Sequence, residues 1–479
     1  MGICNYKDFL KLYFNDAFTD LDLKKVRKYH HIYIDLNHFL HNSIYGVSSK
    51  KAFFVKLFRN LNFILSRVIP NNSITIGIDG PSPFAKIILQ RKRRMESIID
   101  SNEEITSLHL TPGTELMKEI NKEVKTFFEN WIQKFKLYKI SLNFYGADTP
   151  DEGEIKIFKK LKENGKNDLS QSHLVIGNDA DLIVIGMASY PIKNIDILIK
   201  NPKFKFQLLS MSQIININHK ILKVKTHPKD IRNDFVVLSI LMGNDYLKKL
   251  NFLDPIKMVK AYYAFRPTQK EGITKFGNFN NKFFSEFMLY CNNLLAPQYR
   301  KYAKLNNINS NMIKEYMSTI RWCWNLYDTG ICPMYNFSYT INKTPTPLEV
   351  HLFFKLNPNT MIPIPRSNFK PIPEEAYPLL VFNPRVKELI QDKYLKLFDN
   401  ELKYLKIDFN ELNKFRGKYA EISNRIKNYK LKNDTKKISN ELKDEINEAK
   451  NNLSDYKDKH IHNFNNDDIV KIISLIDKS

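Results

Sequence analysis

Short apolar runs alternate with amphipathic stretches along the first 250 residues. The runs rich in β-branched and aromatic residues predict strands at residues 31–36, 73–79, 139–146, 173–178 and 181–186. Two of the stretches between them, Lys51 to Arg67 and Leu116 to Lys136, are long enough for crossover helices. This order is typical of a parallel sheet covered by helices. We therefore predict an α/β fold with a mostly parallel central sheet flanked by helices.

The pattern changes after residue 250. Residues 251–384 are aromatic and helix-prone, and they end in a proline-rich passage whose prolines indicate connections rather than sheet interior. Residues 385–479 are rich in Lys, Glu and Asn, with apolar residues at helical intervals. We therefore predict three parts: an α/β domain over 1–250, a mainly helical second segment over 251–384, and a Lys-rich helical tail over 385–479 that is partly mobile.

Composition and charge narrow the class of protein. Hydrophobic residues make up 43% of the 479 residues, enough for a real core, which excludes wholesale disorder. The 74 Lys and Arg against 51 Asp and Glu give a net charge of +23, which favours a polyanionic partner such as nucleic acid. Four scattered cysteines predict a reducing compartment, and no 18-residue apolar run or signal peptide is present, so we expect neither secretion nor a membrane span.

Acidic residues and glycines cluster at predicted strand ends. Glycine is scarce, at 15 residues, yet it adjoins acids in the phrases IDG, DEGE, GNDAD and GNDY. Each phrase adjoins an apolar run, which places its carboxylates at the edge where open α/β sheets bind ligands. Asp35, which closes the first strand, would stand at the same edge. The candidate acids are Asp35, Asp79, Glu152, Glu154, Asp179, Asp181 and Asp245.

These seven acids predict a metal site if they converge. Two carboxylates about 5 Å apart repel by about 3 kcal/mol at an effective dielectric constant near 20. Divalent cations relieve that repulsion, and all-carboxylate ligation selects Mg²⁺, with Mn²⁺ as a substitute, over zinc. Two such ions would suit an in-line phosphoryl displacement. Each acid alone would also fit a solvated loop or a helix N-cap, but the repeated placement at strand ends favours the metal site.

A basic helix is predicted directly after Asp79. Lys86, Gln90, Arg93 and Arg94 fall at i, i+4, i+7 and i+8, so they share one helix face. Together they can grip a terminal phosphate by charge-assisted hydrogen bonds. The alternatives for this segment are a solvated basic face or a nuclear localisation signal.

The ordered phrases of the chain resemble the Xrn-type 5′-to-3′ exoribonucleases, in particular short forms found in large DNA viruses that replicate in the cytoplasm. The matching phrases are MGI, DLNHFLHN, IDGPSPFAKIILQRKRR, TPGTELM, PDEGEIKI, GNDADLIVIG and DFVVLSILMGNDYL. The resemblance implies a PIN/flap-nuclease-like catalytic core. It also implies an Xrn-type nuclease domain at 1–250 and a second segment at 251–384 that completes the active-site channel.

The resemblance also assigns roles to residues. The seven acids would be catalytic metal ligands, Lys86, Gln90, Arg93 and Arg94 the 5′-phosphate pocket, and His41 and Trp322 the side chains that stack on the terminal nucleotide, with Trp324 as the alternative to Trp322. The chain departs from the family after the GND motif, which usually continues with Pro and His, whereas this chain reads Leu247, Lys248, Lys249 and Leu250. No acid or pocket residue is lost.

The expected function is therefore Mg²⁺-dependent 5′-to-3′ degradation of single-stranded RNA that bears a 5′-monophosphate, by a cytoplasmic monomer with a decapping enzyme as candidate partner. A flap-type DNA nuclease is the nearest alternative, but such enzymes follow their last acids with a glycine-rich hairpin, and the 20 residues that begin at Tyr246 contain no glycine. A catalytically silent RNA-binding scaffold is the third reading, and the intact acids argue against it.

Overall fold

The computed structural model describes residues 3, 6–98, 104–200, 205–300, 308–341, 343–402, 408–433, 440–462 and 466–476. The chain forms two compact units. The first comprises Met1–Lys86 and Ser101–Glu375, and the second comprises Ile87–Asp100 and Ala376–Ser479.

The strands and helices are numbered here in chain order. The strands are β1 (Phe18–Asp20), β2 (Arg27–Asp35), β3 (Val68–Gly77), β4 (Ser141–Tyr145), β5 (His173–Ile176), β6 (Ile195–Lys200), β7 (Phe206–Ser210), β8 (Thr274–Lys275) and β9 (Asn278–Phe279). The helices are α1 (Tyr6–Phe14), α2 (Leu36–Ile44), α3 (Lys50–Leu65), α4 (Phe84–Arg94), α5 (Glu115–Lys134), α6 (Gly153–Asn167), α7 (Asp181–Ala188), α8 (Met211–Leu222), α9 (Pro228–Leu241), α10 (Pro255–Phe265), α11 (Asn281–Asn293), α12 (Pro297–Arg300), α13 (Ser310–Thr329), α14 (Pro347–Leu356), α15 (Tyr377–Val381), α16 (Asp392–Asp399), α17 (Phe409–Asn433), α18 (Asn440–His462) and α19 (Asn466–Ile476).

A seven-stranded sheet in the order β1-β7-β6-β5-β2-β3-β4 forms the centre of the first unit. Strands β4, β3, β2, β5 and β6 run parallel, and β7 and β1 extend the sheet in antiparallel pairings. Asp35 is in register with Gly77, and Gly77 with Tyr145, so three parallel strands end at one level. The predicted α/β class with a mostly parallel sheet is confirmed.

Helices cover both faces of this sheet because its central strands are apolar on both sides. Ile32 and Ile34 pack with Leu57 and Phe128 of α3 and α5, whereas Tyr33 packs on the opposite face with α6 and α7. Strands buried on both faces read as continuous apolar runs instead of alternating ones. The predicted crossover helices correspond to α3 and α5.

The prediction of a strand at residues 181–186 is wrong, because these residues begin helix α7. Every residue of α7 is buried, so the helix has no polar face and its sequence shows no helical periodicity. A short, continuous apolar run of Ile, Val and Leu cannot be assigned to a strand or a buried helix by periodicity alone. The sheet instead continues through β6 and β7, which were not predicted.

The second unit is helical in its described residues. Within it, Arg91 donates a hydrogen bond to the carbonyl of Leu380 (2.8 Å), and Asn383 donates one to the carbonyl of Arg94 (2.7 Å). Glu96 forms ion pairs with Arg416 and Lys457. The predicted helical character of the second segment and of the tail is confirmed by α10 to α19, whereas the division at residues 250 and 384 and the mobility of the tail stay predictions. Among the described helices, none is long and apolar enough to cross a membrane.

Candidate active site

The seven predicted acids lie where the elements of the first unit begin or end. Asp35 ends β2, Asp79 follows β3 by two residues, and Glu152 is the N-cap of α6. Glu154 lies in the first turn of α6, Asp179 and Asp181 lie between β5 and the first turn of α7, and Asp245 follows α9. Sequence position alone does not bring α6 and α9 to this edge, so their approach is a result of the tertiary fold.

Two glycines allow α6 to approach the sheet. A Cβ atom on Gly77 would lie 2.4 Å from the carbonyl oxygen of Gly153, and one on Gly153 would lie 2.9 Å from the carbonyl oxygen of Gly77. Only glycine permits backbones this close at both positions. The N-terminus of α6 therefore reaches the end of β3, and the Gly153 amide donates to Asp79 Oδ1 at 2.7 Å.

A chain of hydrogen bonds links the ends of the first two strands. The Asn37 amide donates to Asp35 Oδ1 (3.2 Å), and the Asp79 amide donates to Asn37 Oδ1 (3.3 Å). Through these two bonds Asn37 links the Asp35 carboxylate to the backbone of Asp79. Its role could not be predicted from the sequence, in which it is one residue of a helix start.

The pKa shifts show that the acids share one electrostatic environment. Burial, then the charges of Asp79 and Asp179, raises the pKa of Asp35 well above its ordinary value. Burial, then Asp181 and Asp179, does the same for the pKa of Glu154. Burial, then Asp179 and Asp245, raises the pKa of Asp181. Burial and the charge of Asp79 raise the pKa of Glu152 against the opposing effect of Lys86, so the structure brings all seven acids together.

Lys86 neutralises part of this charge. Its Nζ lies 2.5 Å from Glu152 Oε2 and 2.5 Å from Asp245 Oδ2, and the lysine is 8% exposed. Burial alone would lower the pKa of Lys86, but Glu152 and Asp245 outweigh it and hold that pKa well above its ordinary value. Lys86 was predicted to bind a phosphate, and its contact with two of the acids was not foreseen.

Three of the acids outside the Lys86 ion pairs form a compact triad. Glu154, Asp179 and Asp181 each offer an oxygen, and these atoms lie within 4.8 Å of one another. Asp181 is 2% exposed, and its Oδ1 has no hydrogen-bond partner among the described residues. An orphaned buried carboxylate oxygen costs free energy unless a cation binds it. Buried oxygen ligands in this arrangement fit a hard divalent cation.

Two further residues support the site and were missed by sequence reasoning. The Tyr246 hydroxyl donates a hydrogen bond to Glu152 Oε1, and its ring lies 5.9 Å from Lys86 Nζ. The Lys156 ammonium donates to the carbonyls of Ile78 (2.7 Å) and Gly146 (2.9 Å), which ties α6 to the loops after β3 and β4. Tyr246 adjoins Asp245 in the GNDY phrase, but nothing in the sequence signals either contact.

The other predicted site residues lie in three places. His41 is exposed on α2, one helix that starts at the acidic edge. Gln90, Arg93 and Arg94 follow Lys86 on α4, as the helical spacing predicted, but they belong to the second unit. Their phosphate-binding role and the stacking role of His41 stay predictions.

Trp322 lies in the core. Its side chain is 0% exposed, its indole N–H donates to the carbonyl of Met334 (3.0 Å), and its ring lies 5.3 Å from that of Tyr246. Trp324, the alternative, is 4% exposed. Neither indole presents a face on which a base can stack in this conformation, because both side chains are buried on the inner side of α13. The residue type alone does not show which tryptophan of a helix is buried.

Part of the chain is similar in sequence to known proteins. Residues 1–201 match the family described as the XRN 5′-3′ exonuclease N-terminus. The chain is 24% identical over 351 residues to human 5′-3′ exoribonuclease 1, which covers 62% of this chain and 20% of the human protein. It is 24% identical over 273 residues to 5′-3′ exoribonuclease 1 of Saccharomyces cerevisiae, with 47% of this chain and 18% of the yeast protein covered. The match thus spans about a fifth of the length of these relatives.

The solved structures that the chain matches include the catalytic core of Rad2 in complex with DNA substrate. That match has a TM-score of 0.38 and 15% identity, and it covers 74% of this chain and 95% of the Rad2 chain. A second match, human GEN1 in complex with Holliday junction DNA, has a TM-score of 0.28 and covers 52% of each chain. The sequence match to the Xrn 5′-3′ exonuclease N-terminus thus covers residues 1–201, less than half of this chain.

Proposed function

We propose that this protein is a Mg²⁺-dependent 5′-to-3′ exoribonuclease that degrades single-stranded RNA bearing a 5′-monophosphate to mononucleotides. The observation that carries the proposal is the convergence of seven carboxylates on one sheet edge, three of them with oxygens within 4.8 Å of one another. Bound divalent cations would relieve the repulsion within this cluster, and phosphodiester hydrolysis is a reaction that such cations serve. The Xrn-type domain and the names of its relatives favour RNA as the substrate.

Glu154, Asp179 and Asp181 would hold one magnesium ion, and a second would lie toward the remaining acids. Magnesium bound there would neutralise the phosphate oxygens and favour formation of the attacking hydroxide. The two ion pairs of Lys86 would hold the Glu152 and Asp245 carboxylates in position at the site. Tyr246 orients Glu152 from the other side by its hydroxyl.

Direction along the strand would come from the basic helix and from α2. Gln90, Arg93 and Arg94 project from α4 at intervals that match a phosphate clamp, which would exclude bulkier triphosphate and capped ends. His41, exposed on α2, would stack on a base near the scissile bond. A cytoplasmic place in RNA decay and a decapping enzyme as partner belong to the same proposal and rest on the family resemblance.

A degradation time course tests the proposal. An RNA labelled at its 3′ end and carrying a 5′-monophosphate, a 5′-triphosphate or a cap is incubated with the protein, with and without Mg²⁺, beside a flapped DNA duplex. We expect Mg²⁺-dependent loss of the monophosphorylated RNA alone. The double substitution Asp179→Ala and Asp181→Ala should abolish it, whereas Asp168→Ala, which removes an exposed acid at the end of α6, should not. Preference for the DNA flap, or full activity of the double variant, would refute the proposal.

A further inference from the structure

A cavity of about 300 Å³ opens beside the acidic site, between α2, α3 and the β6–β7 end of the sheet. Its lining includes Asn42, Asn60, Phe63, Gly177, Lys200 and Phe206. None of these residues has a part in the metal site or the proposed phosphate clamp. We propose that this cavity is a subsite that holds one nucleobase of the RNA strand; the inference rests on the proposed function.

Gly177 connects the cavity to the acids. It follows β5 and forms part of the cavity wall. A Cβ atom at this position would lie 3.2 Å from Asp35 Cβ and 3.4 Å from Asp35 Oδ2. The cavity and the Asp35 carboxylate therefore share one residue as their boundary. A nucleotide next to a scissile phosphate held over the acids would therefore lie beside the cavity.

The apolar wall suits the face of a base. The ring centroids of Phe63 and Phe206 lie 5.8 Å apart, with a tilt of 32° between the planes. Phe63 is 41% exposed, so its ring is accessible to a ligand from solvent. Base stacking on aromatic rings is independent of sequence, because every base has a π face.

A positive charge lies next to these rings. Lys200 Nζ is 5.8 Å from the ring centroid of Phe206, and the Lys200 backbone amide is fixed by a hydrogen bond to Asn178 Oδ1 (3.2 Å). Proteins that bind single strands without sequence preference combine aromatic platforms with cations that follow the phosphate backbone. The Phe206 and Lys200 pair provides both within one cavity.

Two amides supply the polar contacts. Asn42 Nδ2 lies 3.0 Å from His38 Nε2, and Asn60 Nδ2 donates to Ser43 Oγ at 3.3 Å, so both side chains are held by neighbours on α2. An amide offers both donors and an acceptor, so it can bond the edge of any base. The volume lies at the small end of the range for ligand pockets. It suits a single nucleotide unit, and a duplex is too wide for it.

The subsite would hold the strand while the terminal nucleotide is removed. It predicts an effect on RNA affinity and KM, with little effect on kcat, because the base it binds does not react. It is distinct from His41 stacking, since His41 does not line the cavity.

A double-mutant cycle that combines protein substitutions with abasic RNAs tests the subsite by binding alone, without hydrolysis. The dissociation constant of a 5′-phosphorylated 12-nucleotide RNA with a 3′ fluorophore is measured by anisotropy, with Mg²⁺, in the Asp181→Asn background. Phe206→Ala and Phe63→Ala are each combined with RNAs that lack one base at positions 2 to 6. Phe206→Tyr tests rescue, and Tyr138→Ala, which removes a ring that is 71% exposed outside the cavity, is the matched control.

We expect about tenfold weaker binding for Phe206→Ala, the loss of one base stack, and no more than a twofold change for Phe206→Tyr and Tyr138→Ala. At one abasic position the two losses should not multiply, because both remove the same contact. Losses that multiply at every position, or unchanged binding by both alanine variants, would overturn the subsite. If Phe206→Ala does not fold by its melting curve, Phe63→Ala decides alone. If the unaltered protein hydrolyses RNA but the protein and RNA changes weaken binding independently, only the subsite is refuted. If their effects on binding are coupled but the unaltered protein does not hydrolyse RNA, only the proposed function is refuted.

Discussion

Replacement of Asp181 by asparagine should make the metal-free protein more stable while it removes the proposed activity. Asp181 is 2% exposed, and one of its oxygens has no hydrogen-bond partner among the described residues. A carboxylate oxygen of Asp181 lies within 4.8 Å of one oxygen each of Glu154 and Asp179. Asparagine has nearly the same shape, carries no charge and can donate hydrogen bonds to the two remaining carboxylates. The substitution therefore relieves repulsion and leaves the packing unchanged.

The magnitude follows from the geometry. Two charges 4.8 Å apart at an effective dielectric constant of 20 repel by about 3.5 kcal/mol. Closer oxygens repel more strongly, but the folded protein reduces the net repulsion by keeping a proton, as the raised pKa of Asp181 indicates. A net gain of about 1 to 3 kcal/mol in the free energy of unfolding is expected near neutral pH.

The sign of the pH dependence gives a second readout. The unfolded chain loses the Asp181 proton near the ordinary pKa of 3.8, whereas the folded chain holds it to higher pH, so the unaltered protein loses stability as pH rises above about 4. The variant lacks this loss. Its advantage should be small at pH 4 and should grow toward pH 7.

Urea unfolding in EDTA at pH 4.5 and pH 7 measures both effects, and the same experiment with Mg²⁺ should show a smaller metal-induced stabilisation of the variant. Asp234→Asn is the matched control, because the Asp234 carboxylate is buried but accepts hydrogen bonds from Tyr262, Thr274 and the Ile273 amide. That control should be destabilised by about 1 to 3 kcal/mol. A variant at Asp181 that is less stable than the unaltered protein in EDTA would refute the electrostatic reasoning.

Two further predictions concern other charged groups. Lys86→Met leaves Glu152 and Asp245 buried without their cation, so we expect the free energy of unfolding in urea to decrease by about 3 to 5 kcal/mol. The control Lys118→Met breaks an exposed ion pair and should change it by less than about 1 kcal/mol. Equal decreases for the two variants would contradict the argument. Burial, then the nearby histidines, lowers the pKa of His173 to about 3. Below pH 6.5 the unfolded chain therefore takes up a proton that the folded chain excludes, and the free energy of unfolding decreases as the pH is lowered. His173→Gln should flatten the unfolding free energy between pH 6.5 and 4.5 by up to about 1.4 kcal/mol per pH unit, and an unchanged slope would exclude this residue as the cause.

Local pattern was enough for much of the fold. The strands around Asp35 and Gly77 and the helices α3, α4 and α5 were predictable because each carries a continuous apolar run or a helical repeat of its own. Residues 181–186 were assigned to the wrong element because a helix buried on all sides has no periodicity to recognise. The partners of Lys86 lie 66 and 159 residues away along the chain, and no pattern near Lys86 distinguishes a phosphate ligand from a buried ion pair.

The α/β class and the set of seven acids could be predicted from the chain alone, because alternation, spacing and the placement of carboxylates at strand ends are local properties. The tertiary structure decided how those acids divide: Lys86 and Tyr246 engage Glu152, while Glu154, Asp179 and Asp181 face one another. It also decided that Trp322 is a core residue and that a cavity adjoins Asp35 across Gly177. The physical reason is that charge pairing and burial depend on which distant segments meet in space, and these meetings arise from packing of the whole unit.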